Sequence, residues 1–178
     1  MTNRETPMTL RRFFSGLTEY TFQSRLGVVD PPLVDYISDL LSRFVRNDSI
    51  YRIRNLTGRP VAEVGEMLAE AEARLGDARR QVHRHIGDFT LFWAGIYPEC
   101  LRRLRGLVEM DRYNDYCAHG KRSYRIASSI DTEQVEETPG DVLERLSDQF
   151  ELCAYGLREI RREWERRDDD EVRSLLIN

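Results

Sequence analysis

Residues 84–99 read R-H-I-G-D-F-T-L-F-W-A-G-I-Y-P-E, from Arg84 to Glu99. The run holds Ile86, Phe89, Leu91, Phe92, Trp93 and Ile96 inside a chain otherwise crowded with charge, and from His85 to Tyr97 only His85, Asp88 and the terminal Tyr97 can titrate. At about 100° per residue, Val82, Ile86, Phe89, Trp93 and Ile96 form one helical stripe, and His85, Asp88, Phe92 and Gly95 form the next. On the far side Gly87, Thr90 and Ala94 make a strip of small residues against which a second helix can come close. A helix apolar or small on every side is an interior helix. The pattern therefore predicts a central helix over 82–97. It ends at Tyr97-Pro98, because a residue before proline is driven out of the helical region. Pro98 and Glu99 then suit the first turn of a short following element.

Amphipathic segments surround this one. On the N-terminal side, Thr6-Pro7 suits a helix start, Leu10, Phe13, Phe14, Leu17 and Thr21 or Phe22 recur at helical spacing, and Gly27 suits the stop. Asp30 caps a second helix, opened by Pro31-Pro32, with Leu33, Ile37, Leu40, Leu41, Phe44 and Val45 on one face and a stop at Asn47-Asp48. Ser49 to Thr57 alternates apolar and basic residues, a loop with a β-like run that has no partner strand. A third helix starts near Pro60 or Val61 and carries Val64, Leu68, Ala71 and Leu75, with a break expected at Gly76-Asp77. On the C-terminal side, Asp111 caps a helix whose inner stripe is Tyr113, Cys117, Gly120, Tyr124 and Ala127. Residues 128–137 are polar and acidic, an exposed linker. Thr138, Pro139 and Asp141 then open a last helix. Its seam, Leu143, Leu146, Phe150, Cys153, Leu157, Ile160 and Trp164, alternates by three and four over 143–164 and predicts docking in a bundle or onto a partner or second copy. Residues 168–178 form an acidic, then apolar tail. The expectation is an all-α, single-domain bundle over 1–178, with about six helices around the 82–97 element.

Composition removes several function classes. The chain has 178 residues, 40% of them apolar and 33% charged, which suits one globular domain. It contains no apolar run of the ~18 residues a membrane span needs, and M-T-N-R-E-T-P lacks the apolar core of a secretory signal. A cytoplasmic location is expected. The net charge of −4 argues against a dedicated nucleic-acid binder. Of 27 basic residues only Lys121 is a lysine, a bias that a GC-rich genome explains without function. Cys100, Cys117 and Cys153 show no paired spacing and read as small hydrophobes.

Three functional readings compete. His85 and Asp88, at i and i+3, could hold a metal with help from Asp115 and His119, but no histidine carries the Glu-x-x-His spacing of di-iron bundles. Neither metal nor cofactor is expected. An acid–base site would use a pocket of His85, Asp88, Tyr97, Glu99, Tyr113, Tyr116, His119 and Tyr124 between the central helix and the Tyr113–Tyr124 helix, with burial lifting a carboxylate pKa. The plainer reading of those side chains is a core whose tyrosine hydroxyls reach Asp88 or Arg84. Arginine groups at 102–105 and 158–167 resemble phosphate contacts, yet glutamates accompany the second, and such faces are mostly solvated and self-paired. The expected role is an interaction or regulatory module with a small ligand pocket near Asp88; the alternative is an enzyme or metal-binding bundle.

The two segments around Asp88 and Tyr113 also resemble a group of uncharacterised bacterial proteins sharing the pattern G-D-x-x-L-F-x-x-G-x-x-P-E, then D-x-Y, a glycine and a tyrosine. The matching positions are Gly87, Asp88, Leu91, Phe92, Gly95, Pro98, Glu99, Asp111, Tyr113, Gly120 and Tyr124. The resemblance implies an all-helical bacterial domain and supplies no activity.

Overall fold

In a computed structural model, residues 7–45, 63–102, 112–135 and 137–177 are described, and among them the fold is all helical. Helix α1 spans Pro7–Glu19 and passes directly into a π-helical turn, Tyr20–Arg25; α2 spans Pro31–Phe44, α3 Val64–Glu72 and α4 Gly76–Ile96. Beyond it lie α5 (Pro98–Arg102), α6 (Arg112–Ser129), α7 (Gly140–Asp148) and α8 (Phe150–Ile177). Eight α-helices are present among the described residues, where about six were expected. Expectations at Thr6, Asn47-Asp48, the 49–57 run, Pro60-Val61 and Asp111 lie outside the described residues.

Helix α4 is the centre, touching α2, α3, α5, α6 and α8. From Val82 to Ile96 every residue is buried except Arg84 and Trp93, which are half-buried. The starts and stops follow the local chemistry. Asp30 accepts the Leu33 amide at 3.2 Å, as an N-cap carboxylate does for the third helical residue. Gly27 stands at φ +68° with the Val28 amide returning to the Phe22 carbonyl, the left-handed stop only glycine adopts cheaply. Gly76 at φ +55° separates α3 from α4 where a break was expected.

Two expectations are corrected. Residues 139–164 are not one helix: the chain kinks at Gln149, and Pro139, not Thr138, holds the N-cap position. Tertiary contacts flank the kink. The Ser147 hydroxyl donates to the Lys121 carbonyl at 2.8 Å, and the Phe150 ring fills the space a side chain at Gly120 would need. The seam stays in register across it, with Leu143, Leu146, Phe150, Cys153, Leu157 and Ile160 fully buried by the chain's own helices. Trp164 at its end packs edge-on against Phe14 with ring centres 5.4 Å apart. The α8 backbone runs on to Ile177.

Candidate functional site

Arg80, Arg84 and Asp88 stand four residues apart, so one turn of α4 follows another and all three share a face. Tyr36 and Arg43 present the facing surface of α2, and Tyr124 comes from α6. Asp88 is only 1% exposed. Its Oδ1 accepts from the Tyr36 hydroxyl at 2.5 Å and the Tyr124 hydroxyl at 2.8 Å. Its Oδ2 accepts from Arg43 Nη1 at 3.1 Å. Arg84 Nε donates to the Tyr36 hydroxyl at 3.0 Å while its guanidinium lies over the Tyr36 ring. Arg43 is held from behind by Asp39 at 2.8 Å.

Glu137, from the connection between α6 and α7, continues the network. It accepts from Arg84 at 3.1 Å and from Arg80 at 3.2 Å. Arg80 is 2% exposed, and its remaining donors bind the carbonyls of Ile130 at 3.1 Å and Thr138 at 2.5 Å. One buried guanidinium thus closes the 130–138 connection onto α4. Asp131, Glu133, Gln134 and Val135 are exposed, and the segment is anchored at both ends.

The glycines of the motif are contact points. A Cβ on Gly87 would lie 2.5 Å from the Tyr124 ring, so the bare backbone there is what lets that ring lie on α4 and reach Asp88 one residue on. A Cβ on Gly95 would meet Leu157 at 2.5 Å. One on Gly120 would meet Phe150 and Thr90, both at 2.4 Å. Close approach at Gly87 and Thr90 fits the small-residue strip; Gly95 makes a second such contact with α8.

The network's electrostatics oppose acid–base work. Burial alone would raise the Asp88 pKa, but Arg43, Arg84 and the two tyrosine hydroxyls reverse that and hold it below the ordinary 3.8. Burial, reinforced by the Asp88 charge, raises both the Tyr36 and Tyr124 phenols, so neither ionises near neutrality. Space beside the carboxylate, bounded by Arg43, Gln81, Arg84, His85 and Glu137, is about 10 Å³. That is room for one water and no substrate.

Only part of the expected pocket assembles. Asp88 and Tyr124 bond directly, and His85 lies beside them, stacked on Phe44 at 6.0 Å and tilted against Phe89. Tyr97 and Glu99 sit at the far end of α4 around Arg161, whose Nη1 reaches the Ile96 carbonyl and Glu99, each at 2.5 Å, with Tyr97 beneath it. Tyr116 packs on Phe89, and burial raises its pKa. Tyr113 is packed at the edge of the core. His119 is half-buried and Asp115 exposed, with no hydrogen bond or ion pair between them among the described residues. Among the described residues no group of three His, Cys, Asp or Glu side chains is placed to hold a metal ion.

Tyr36, Arg43, Arg80 and Glu137 were not singled out from sequence. For Tyr36 and Arg43 the available signal was weak: at i−4 and i+3 from Leu40, both stand within one turn of the apolar face. Nothing local marks Arg80 or Glu137.

A second feature lies two turns along α4. Leu41, Phe44, Val45, Phe92, Trp93, Ile96, Tyr97, Cys100 and Trp164 enclose a cleft of about 420 Å³ among α2, α4, α5 and α8. Its walls are aromatic or aliphatic, with Phe44 and Phe92 5.2 Å apart between ring centres. Cys100 is a free, exposed thiol at its rim. No protein-family model, curated protein or solved structure matches the chain.

Proposed function

We propose that the chain is a non-catalytic interaction or regulatory module of a bacterial cytoplasm, and that the Phe44–Trp93–Trp164 cleft receives a small apolar molecule. The ligand site is thereby moved from Asp88 to the far half of the same helix. The cleft carries this reading: its size falls within the range of about 300–1,000 Å³ for small-molecule sites, which are mostly apolar. Its aromatic walls offer area at little entropic cost, because each ring is fixed by its neighbours. Asp88 supports the reading from the other side, since an ionised, enclosed and fully bonded carboxylate serves better as scaffold than as reagent.

The test uses 1-anilinonaphthalene-8-sulfonate with the folded protein, read both by probe emission and by quenching of Trp93 and Trp164. Saturable one-to-one binding is expected. Cys100→Phe, which adds bulk at the rim without removing a core side chain, should weaken it several-fold with an unchanged melting temperature. Absence of saturable binding, or binding indifferent to Cys100→Phe, would contradict the assignment.

A further inference from the structure

Four arginines gather where the π-helical turn lies along α8. Arg25 stands 3.6 Å from Glu159, and Arg162 Nη1 donates to Glu159 at 2.6 Å. Arg166 Nη2 contacts both oxygens of Glu163 at 2.7 and 2.9 Å, and Arg167 Nε adds a bond at 3.1 Å. Glu165 is drawn to Arg161 on another flank.

The layering matters more than the count. Ordinary helix-surface pairs lie side by side in solvent and contribute little. Here Glu159 and Glu163 are 8% and 6% exposed, while all four arginines are exposed. The carboxylates form a floor and the guanidiniums a rim. Each carboxylate is shared by two arginines. Among the described residues Arg25 makes no hydrogen bond and Arg162 makes one, so further donors face outward.

A cleft of about 440 Å³ opens here, bordered by Tyr20, Arg25, Glu159, Arg162, Glu163 and Arg166. The turn supplying Tyr20 and Arg25 is held in place by Phe22, whose ring occupies the spot a Cβ on Gly156 would take, 2.3 Å from its Cζ. A π-helical turn is a costly local geometry that recurs at functional sites.

We propose that this cleft binds a phosphate monoester, with Arg25 and Arg162 donating to its oxygens and the Tyr20 hydroxyl at the mouth. Guanidinium forks match phosphate oxygens in geometry, and a monoester, carrying about −1.5 to −2 at pH 7, gains more from two guanidiniums than a monocarboxylate does. This site is independent of the apolar cleft.

Amide chemical shifts of the intact chain, titrated with inorganic phosphate and with glycerol 3-phosphate at low ionic strength, test the proposal. Saturable shifts should cluster at Tyr20–Arg25 and Glu159–Arg167, and acetate should not reproduce them. Arg25→Gln and Arg162→Gln, both at exposed positions, should each weaken binding about tenfold, the loss of one charge-assisted hydrogen bond. Arg125→Gln, on a different ion-paired surface, should leave it unchanged. Vesicles containing phosphatidic acid separate the sources: retention abolished by the two cleft variants assigns a lipid headgroup, and no retention assigns a free ester. Absence of saturable shifts, or equal weakening by Arg125→Gln, would overturn the site.

Discussion

Replacing Asp88 by asparagine keeps the side chain's shape and removes its charge, and the network sets the cost. Oδ1 receives two phenolic hydroxyls and Oδ2 receives Arg43. An amide offers one acceptor and one donor group. In one orientation its NH₂ meets the Arg43 guanidinium; in the other it meets two hydroxyls, one already accepting from Arg84. The first sets donor against donor; in the second the hydroxyls can turn to accept, but their own protons then lose their acceptor in a site 1% exposed. Arg43 and Arg84 also lose the buried charge that compensates them. Breaking a buried pair from one side costs about 3–5 kcal/mol, a large part of the roughly 5–15 kcal/mol that holds a domain together. At about 2–4 °C per kcal/mol for a chain of this size, Asp88→Asn should melt about 10 °C lower. Tyr124→Phe, which removes one hydroxyl and leaves the charge in place, should cost about 1.5–3 kcal/mol. Urea titration followed by far-UV circular dichroism measures both. An Asp88→Asn protein melting within about 2 °C of the parent would refute the reasoning, and more so if it had lost a ligand.

Glu137→Gln should destabilise by about 2–3 kcal/mol, because Arg80 is buried and Glu137 is its carboxylate partner; its urea midpoint checks this. His83, 3% exposed, has its pKa lowered to about 4 from 6.5, by burial first and then by Arg79 and Arg122. The unfolded chain therefore binds this proton first as pH falls, so stability declines from about pH 6.5 down to about pH 4. At about 1.4 kcal/mol per pKa unit the decline approaches 3 kcal/mol, and His83→Gln should flatten it in a pH series of urea midpoints. Gly95→Ala should lower the melting temperature because its methyl would meet Leu157. Gly16→Ala, with nothing within 4 Å, should raise it, alanine being about 1 kcal/mol the better helix former.

The central helix was legible because apolar periodicity reports burial, and Asp30, Gly27 and Gly76 were legible because caps and left-handed positions are chemical requirements of single residues. The kink at Gln149 was not. It carries neither proline nor glycine, and the contacts beside it, Ser147 to Lys121 and Phe150 against Gly120, join segments about thirty residues apart. The π-helical turn was hidden similarly, since Thr21 and Phe22 are both buried and either fitted the helical stripe. The polar network was half legible. Asp88 stood out as a charge in an apolar run, and Tyr124 as a tyrosine in an inner stripe. Arg80 looked like any arginine on a charged first turn, and Glu137 like any acid in a linker. The burial of Arg80 and its pairing with Glu137 follow from the chain closing 57 residues later, which no local pattern encodes.

Asp88 is an ionised tie, and its carboxyl can be titrated directly. In ¹³C spectra of the intact protein, the Asp88 Cγ shift should stay at its ionised value from neutrality down past 3.8, the ordinary aspartate value. With the folded pKa depressed, its contribution to stability is full above that value and is lost only as pH falls through the lower, folded one. A titration step between about pH 5 and 7, the range a general acid or base needs, would contradict the claim and return Asp88 to the active-site reading.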